Sequence, residues 1–394
     1  MNMLWDHYVF RRGNGVHELW DRLHENRPMQ VLYIAGRGFD VRAQAVMREY
    51  VASLQSVGRR VIDAKLLLIG FSGYELETDV RALTEENAAA LHAIFAPLGP
   101  VQTITIGGSG TVDDDGDIGA SNSLRLGVQQ VLAAVADQTD IVLDVSSLPR
   151  VIYLALLTSL LQKLVPDKQI RINEPHPLAA NGVNFQVLVA EDAQLDGMIK
   201  AEDPSNELVH IPGFLGAFHA ESVQDWPLVW FPILGENRVN QLQKVLASSV
   251  ISATAEICPV VPHPSKNPRR ADDLLVEYIE PLFKSRKTPT SNIMYVHESN
   301  PFEAYRQLLS AMRRYQNSMS VLGNCRLVVT PLGSKLVTVG AGLACFEMRP
   351  ADVSATYRVA VPLAEPKRYV ASVQSLKDSK PEISALLLTG EAYS

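Results

Sequence analysis

Val31-Leu-Tyr-Ile-Ala-Gly-Arg-Gly-Phe-Asp-Val-Arg42 reads as a buried β-strand that passes through a glycine turn into a helix. Half a chain length later, Leu228-Val-Trp-Phe-Pro-Ile-Leu-Gly-Glu-Asn-Arg238 repeats that order. Each stretch has a later companion. Asp140-Ile-Val-Leu-Asp-Val-Ser-Ser-Leu-Pro-Arg150 leads into an apolar helix, and Cys325-Arg-Leu-Val-Val-Thr-Pro-Leu-Gly-Ser-Lys335 leads into another. All four turns join a strand end to a helix start, where backbone N–H groups and the positive end of the helix dipole favour an anion.

The runs around these four stretches are apolar on both faces and alternate with helical patterns, which is the signature of parallel strands covered by helices. In the first half the pattern predicts strands near 31–35, 64–69, 101–106, 140–145 and 168–172, with helices near 41–57, 82–96, 121–136 and 150–164. The second half repeats it, with strands near 228–233, 256–261, 292–297, 325–330 and 356–361 and helices near 238–249, 270–284, 301–317 and 335–347. The expected fold is α/β, with two tandem Rossmann-like domains of mainly parallel sheet arising by internal duplication. Two unrelated domains of that type would give the same pattern. The expected boundaries are a helical lead-in at 1–28, domain 1 at 29–190, a linker at 191–227 and domain 2 at 228–394. Asn184–Ala190 is expected as an antiparallel edge strand of the first domain, with Tyr369–Ser372 and Ile383–Thr389 as the corresponding edge of the second.

Bulk composition narrows the class. A chain of 394 residues, 47% hydrophobic and 20% charged, has enough apolar surface for two ordinary cores. The formal net charge of −7 argues against nucleic acid as the main ligand while leaving room for a local basic pocket. Cys258, Cys325 and Cys345 are far apart and lack zinc or disulfide spacing, so a reducing, cytoplasmic setting is expected. The longest apolar run, Val151 to Val165, falls short of the roughly 20 residues of a membrane span, and no membrane partner is expected.

In an open parallel sheet, the loops after the first and fourth strands flank a crevice at the carboxyl edge. In the first half that crevice would collect Gly36, Arg37, Gly38, Asp40 and Arg42 on one side and Ser146, Ser147 and Arg150 on the other. Gly235, Glu236, Asn237 and Arg238 would face Gly333, Ser334 and Lys335 in the second. Glycines let backbone approach a ligand, hydroxyls and helix-start N–H groups bind phosphate oxygens, and Arg or Lys supplies charge. The alternative reading of the same turns is tight βα connections carrying solvated charges. His263-Pro-Ser-Lys-Asn-Pro-Arg-Arg-Ala-Asp-Asp273 adds Lys266, Arg269 and Arg270, which would grip phosphates or form salt bridges. The first half has the acidic Gly70-Phe-Ser-Gly-Tyr-Glu-Leu-Glu-Thr-Asp79 at that place, so the two crevices should differ.

Other chemistry is weakly signalled. The dinucleotide fingerprint, the phosphate loop, the nucleophile elbow and the zinc helix motif are all missing. Asp113, Asp114, Asp115 and Asp117 crowd the loop Gly107 to Gly119 without the register of a calcium loop, so neither a metal nor an organic cofactor is expected. His297-Glu298 is a candidate acid/base pair at the end of a strand.

Asp144-Val-Ser-Ser-Leu-Pro-Arg150, at the end of a fourth strand, resembles the Asp-x-Ser/Thr turn of the CARF-like, Rossmann-like sensor domains attached to CRISPR effectors. The resemblance covers that turn and the order of elements. The second half departs from it with Thr330-Pro-Leu-Gly-Ser-Lys335. It implies a tandem of ligand-sensing domains in prokaryotic antiviral defence, with a cyclic oligonucleotide as ligand. The expected function is therefore a cytoplasmic sensor or regulatory subunit that binds a nucleotide or other phosphorylated small molecule and acts through a protein partner. The alternatives are a nucleotide-processing hydrolase or transferase using the same crevice, and a scaffold subunit that has lost its ligand.

Overall fold

The computed structural model describes residues 2–107, 116–205, 208–214, 225–350 and 359–394. The chain forms two compact units: Met1–Lys200 with Tyr369–Ser394, and Ala201–Arg368. Unit 1 contains β1 (Val9–Arg12), α1 (Asn14–Leu23), β2 (Pro28–Gly36), α2 (Arg42–Leu54), β3 (Arg60–Phe71), β4 (Glu75–Leu76), α3 (Thr78–Phe95), β5 (Val101–Ile106), α4 (Gly116–Ala133), β6 (Asp140–Asp144), α5 (Arg150–Leu164), β7 (Asn184–Glu191) and α6 (Ala193–Met198). The chain crosses to unit 2 within β8 (Lys200–Pro204).

Unit 2 contains β9 (Val209–His210), β10 (Leu228–Ile233), α7 (Val239–Ala247), β11 (Glu256–Ile257), β12 (Val260–Pro262), α8 (Arg270–Glu277), β13 (Met294–Val296), α9 (Pro301–Ser318), β14 (Arg326–Pro331), α10 (Lys335–Met348), β15 (Val359–Ala360) and β16 (Pro362–Leu363). β17 (Pro366–Val370) carries the chain back, and α11 (Val373–Asp378) and β18 (Glu382–Thr389) complete unit 1.

The larger sheet runs β1-β18-β7-β6-β2-β3-β5, and its five strands from β7 to β5 are parallel. The unit 2 sheet runs β13-β12-β10-β14-β15, all parallel, with β11 also beside β10. Numbered along the chain, the parallel strands of each sheet stand third, second, first, fourth, fifth. That is the doubly wound order, whose direction reverses between the first and fourth strands. Both units thus bring the loops after the first and fourth parallel strands side by side, where the strand order reverses.

Burial follows from composition. Every residue of Asp140–Asp144 and Leu228–Ile233 is buried, as expected for strands covered on both faces. Val31, Tyr33 and Ala35 point alternately from β2 to one side, where Val16, Leu19, Trp20 and Leu23 of α1 and Val46, Met47, Tyr50 and Leu54 of α2 meet them at helical spacing. In unit 2, Leu242 and Val245 of α7 and Leu274 of α8 cover Leu228 and Trp230 in the same way. α9 and α10 approach closely because Gly340 has no side chain: a Cβ there would lie 2.2 Å from the Pro301 carbonyl oxygen.

Several expectations are corrected. Residues 168–172 form no strand, and Ile172 is 92% exposed. The place beside β6 belongs instead to β7, parallel and internal rather than an antiparallel edge, because Phe185, Val187, Leu188 and Val189 are all buried while Lys168-Gln-Ile-Arg-Ile interleaves charge. Ile383–Thr389 pairs antiparallel with β7 in unit 1 and so is not an edge of the second domain. Residues 1–28 contribute a strand of this sheet as well as a helix. Asp113, Asp114 and Asp115 lie outside the described residues.

Candidate functional site

In unit 1 the turns after β2 and β6 are packed against each other. Ser147 Oγ donates to the Gly36 carbonyl at 2.8 Å, and a Cβ on either Gly36 or Gly38 would come within 2.6 Å of the Ser147 carbonyl oxygen. Only glycine permits that approach. The Ser146 amide donates to Asp144 Oδ1 at 2.9 Å, while Ser146 Oγ accepts the Ala190 amide at 2.9 Å. Tyr33 OH donates to Asp144 Oδ2 at 2.9 Å, and burial together with that carboxylate pushes the Tyr33 phenol well above its ordinary value. The Asp144–Ser147 turn therefore ties β2, β6 and β7 together, with both serines buried.

The three arginines expected there have different neighbours. Arg42 is 2% exposed; its Nε and Nη2 bind Asp40 at 2.9 and 2.7 Å, and Nη2 also binds Asp196 at 2.7 Å. Burial opposes the charged guanidinium, but Asp40 and Asp196 outweigh it and hold Arg42 protonated. Arg37 reaches out to Glu85 on α3, and Arg150 opens α5. No described contact gathers the three into one pocket.

The carboxyl edge of unit 2 is built differently. Glu236, in the turn after β10, takes Arg270 in a side-on pair, with Nη2 to Oε2 at 2.9 Å. The same guanidinium binds Glu298, which follows β13 and is buried. Glu298 Oε2 accepts the Lys266 amide at 2.8 Å, so one ion triad ties together the loops after β10, β12 and β13. Burial would raise the Glu236 carboxyl, yet Arg270 holds it below the usual range. Glu277 accepts the Asn237 amide at 3.0 Å, and its carboxyl is raised, chiefly by burial. The loop after β14 joins from the other side: a Cβ on Gly235 would lie 2.1 Å from the Leu332 carbonyl oxygen, so the turns bearing Arg238 and Lys335 touch. Ser334 Oγ caps α10 by accepting the Val337 amide at 3.5 Å.

Around this edge stand Arg238, Lys266, Arg269, Arg270 and Lys335 against Glu236, Glu277 and Glu298, and α7, α8, α9 and α10 all begin there. Positive charge and four helix N-termini share one rim. Arg270 and Glu298, separate candidates in the sequence, are partners in the fold. The available signal was an arginine at the first helical position after a strand, opposite a glutamate in the neighbouring turn.

His297 Nδ1 accepts the Ser299 amide at 3.2 Å, and His263 is exposed with its ring 5.7 Å from that of Tyr295. All three cysteines are buried and free; burial pushes the Cys258 thiol up to about 11, away from nucleophilic use. Among the described residues no three His, Cys, Asp or Glu side chains form a metal cluster, and no helix is long and apolar enough to cross a membrane.

No family model and no curated protein sequence matches the chain. Among solved structures it is similar to a chain described as a universal stress protein from Pseudomonas aeruginosa UCBPP-PA14, at 10% identity over 86% of this chain and 94% of that one, with a TM-score of 0.22. A score of that size carries no argument about fold or function. The architecture rests on the strand order itself: a mixed α/β chain with mainly parallel sheets.

Proposed function

We propose that unit 2 binds a phosphorylated small molecule of the nucleotide class at the carboxyl edge of its sheet, and that the protein works by binding rather than turnover. The observation that carries this reading is the Glu236–Arg270–Glu298 triad, which gathers three loops into one rim while Arg238, Lys266, Arg269 and Lys335 add positive charge beside helix N-termini. The internal duplication, a cyclic oligonucleotide ligand, a protein partner, a cytoplasmic setting and a defence role remain parts of this proposal. Matching strand order supports the first of them, and the Asp144–Arg150 turn motivates the ligand and the defence role.

Isothermal titration with nucleoside mono-, di- and triphosphates and cyclic di- and oligonucleotides tests the reading. Saturable binding weakened about 10-fold or more by Lys335→Ala with Arg238→Ala is expected, since each charge-assisted hydrogen bond is worth about 1.5–3 kcal/mol. Absence of binding across the panel, or binding indifferent to both substitutions, would refute it. One observation favours an enzyme instead: Ser299 Oγ lies 3.4 Å from His297 Nδ1. The Ser299 amide also occupies that nitrogen, which makes the contact a local turn. Steady product formation abolished by His297→Ala would reverse the ranking.

A further inference from the structure

A groove of about 440 Å³ opens on unit 1 between α2, α3 and α11, within the size range of small-molecule sites. Apolar side chains, Val41, Ala45, Ala90 and Pro381 among them, line half of it over buried Leu83 and Leu376, and Gln44, Glu86, Ser379 and the cations line the rest. Three cations border it, and they are not equivalent. Lys377 pairs with Glu86 at 3.1 Å. Arg42 is 2% exposed and already matched by Asp40 and Asp196, so it has no charge left for a second anion. Arg48 is exposed on α2 and donates only to the neutral Gln44 Oε1 at 3.1 Å, with no carboxylate partner among the described residues.

That inventory specifies a ligand chemistry. The single uncompensated charge, Arg48, suits one anionic group, and the apolar half of the lining suits a hydrocarbon or aromatic body. A polyphosphate would bring excess negative charge next to Asp40, Asp196 and Glu86. We propose that this groove is a binding site for a monoanionic organic acid with an apolar body, distinct in place and in ligand class from the phosphate-seeking rim of unit 2.

The test uses the full chain and 8-anilinonaphthalene-1-sulfonate, a monoanionic sulfonate on an aromatic body that fluoresces when it leaves water. Saturable binding to the wild type is expected, with Arg48→Glu weakening it about 10-fold and Ala90→Trp, which fills the groove from α3, weakening it at least as much. Arg48 is exposed and Ala90 is half-buried on the groove wall, and circular dichroism melts should match the wild type. Lys335→Ala should leave this titration unchanged, which separates the groove from the proposed nucleotide site. Absence of saturable binding to the wild type, or equal binding by the wild type, Arg48→Glu and Ala90→Trp, overturns the assignment.

Discussion

Glu191 and Glu382 stand directly opposite each other on β7 and β18, and a single nitrogen, Arg12 Nη2, binds both carboxylates at 2.9 and 2.8 Å. One positive charge serves two negative ones in a partly buried place. Burial raises the Glu191 carboxyl to about 7; Arg12 opposes this, Asp196 and Glu382 add to it, and the Ser384 hydroxyl opposes it. An acid whose folded pKa lies above its ordinary value of 4.5 stabilises the fold below that value and loses the contribution as pH rises through about 7. Glu191→Gln should therefore remove a fall in stability between pH 4.5 and 7 of up to about 3 kcal/mol. Denaturant midpoints of the two proteins across that range check it, and parallel curves would show that Glu191 titrates normally.

His24 should act in the opposite sense. It is fully buried, neither ring nitrogen has a hydrogen-bond partner among the described residues, and burial lowers it from 6.5 to about 4. The unfolded chain binds this proton at a pH where the folded chain does not, so stability falls as pH drops from 6.5 towards 4. The two contributions overlap between pH 4.5 and 6.5 and have opposite signs. His24→Leu should unmask the falling Glu191 limb, and Glu191→Gln should unmask the rising His24 limb. If His24→Leu leaves the pH dependence unchanged, the imidazole titrates in the fold as it does in the unfolded chain.

The buried Asp40–Arg42–Asp196 cluster and the exposed Arg37–Glu85 pair predict very different costs. Asp40→Asn removes one of the two carboxylates that hold buried Arg42, and each charge-assisted hydrogen bond lost costs about 1.5–3 kcal/mol. Arg37→Ala breaks an ion pair whose glutamate is mostly solvated, worth about 1 kcal/mol or less. Urea denaturation of both variants should show that separation. A loss below about 1 kcal/mol for Asp40→Asn would mean that Arg42 is not held by this cluster.

Local pattern was enough to locate the parallel strands, because Ile141-Val-Leu143 and Val229-Trp-Phe231 are apolar on both faces and each runs into a turn and a helix. It could not choose between residues 168–172 and Asn184–Glu191 for the place beside β6, since that choice is made by burial across the sheet. The return of β18 to unit 1 had no local signal either: its partners on β7 lie half a chain away in sequence. The site divides along the same line. Asp40 and Arg42 sit two residues apart, but Asp196 joins them only in the fold. Ser146 and Ser147 have the residue types of a phosphate turn, and only the structure reveals that their hydroxyls meet Ala190 and Gly36.

Arg270 is the residue on which the unit 2 rim depends. It bridges Glu236 and buried Glu298, so Arg270→Met leaves two carboxylates without their cation and should destabilise unit 2 by about 3–5 kcal/mol at neutral pH. In the wild type the lowered Glu236 carboxyl contributes stability that is present above its ordinary pKa of 4.5 and lost as pH falls through the lower folded value. Without Arg270, Glu236 loses the cation that opposes its burial, so its carboxyl rises, protonation relieves the variant as pH drops, and its deficit should shrink between pH 7 and 4. Arg270→Lys should fall between the two, because an ammonium cannot reproduce a side-on pair with Glu236 while also reaching Glu298. Hydrogen exchange of β10 and β12 amides at pH 7 reads the loss where it occurs. Unchanged protection there in Arg270→Met would show that the loops are held by something other than the triad, and the proposed ligand rim would lose its organising element.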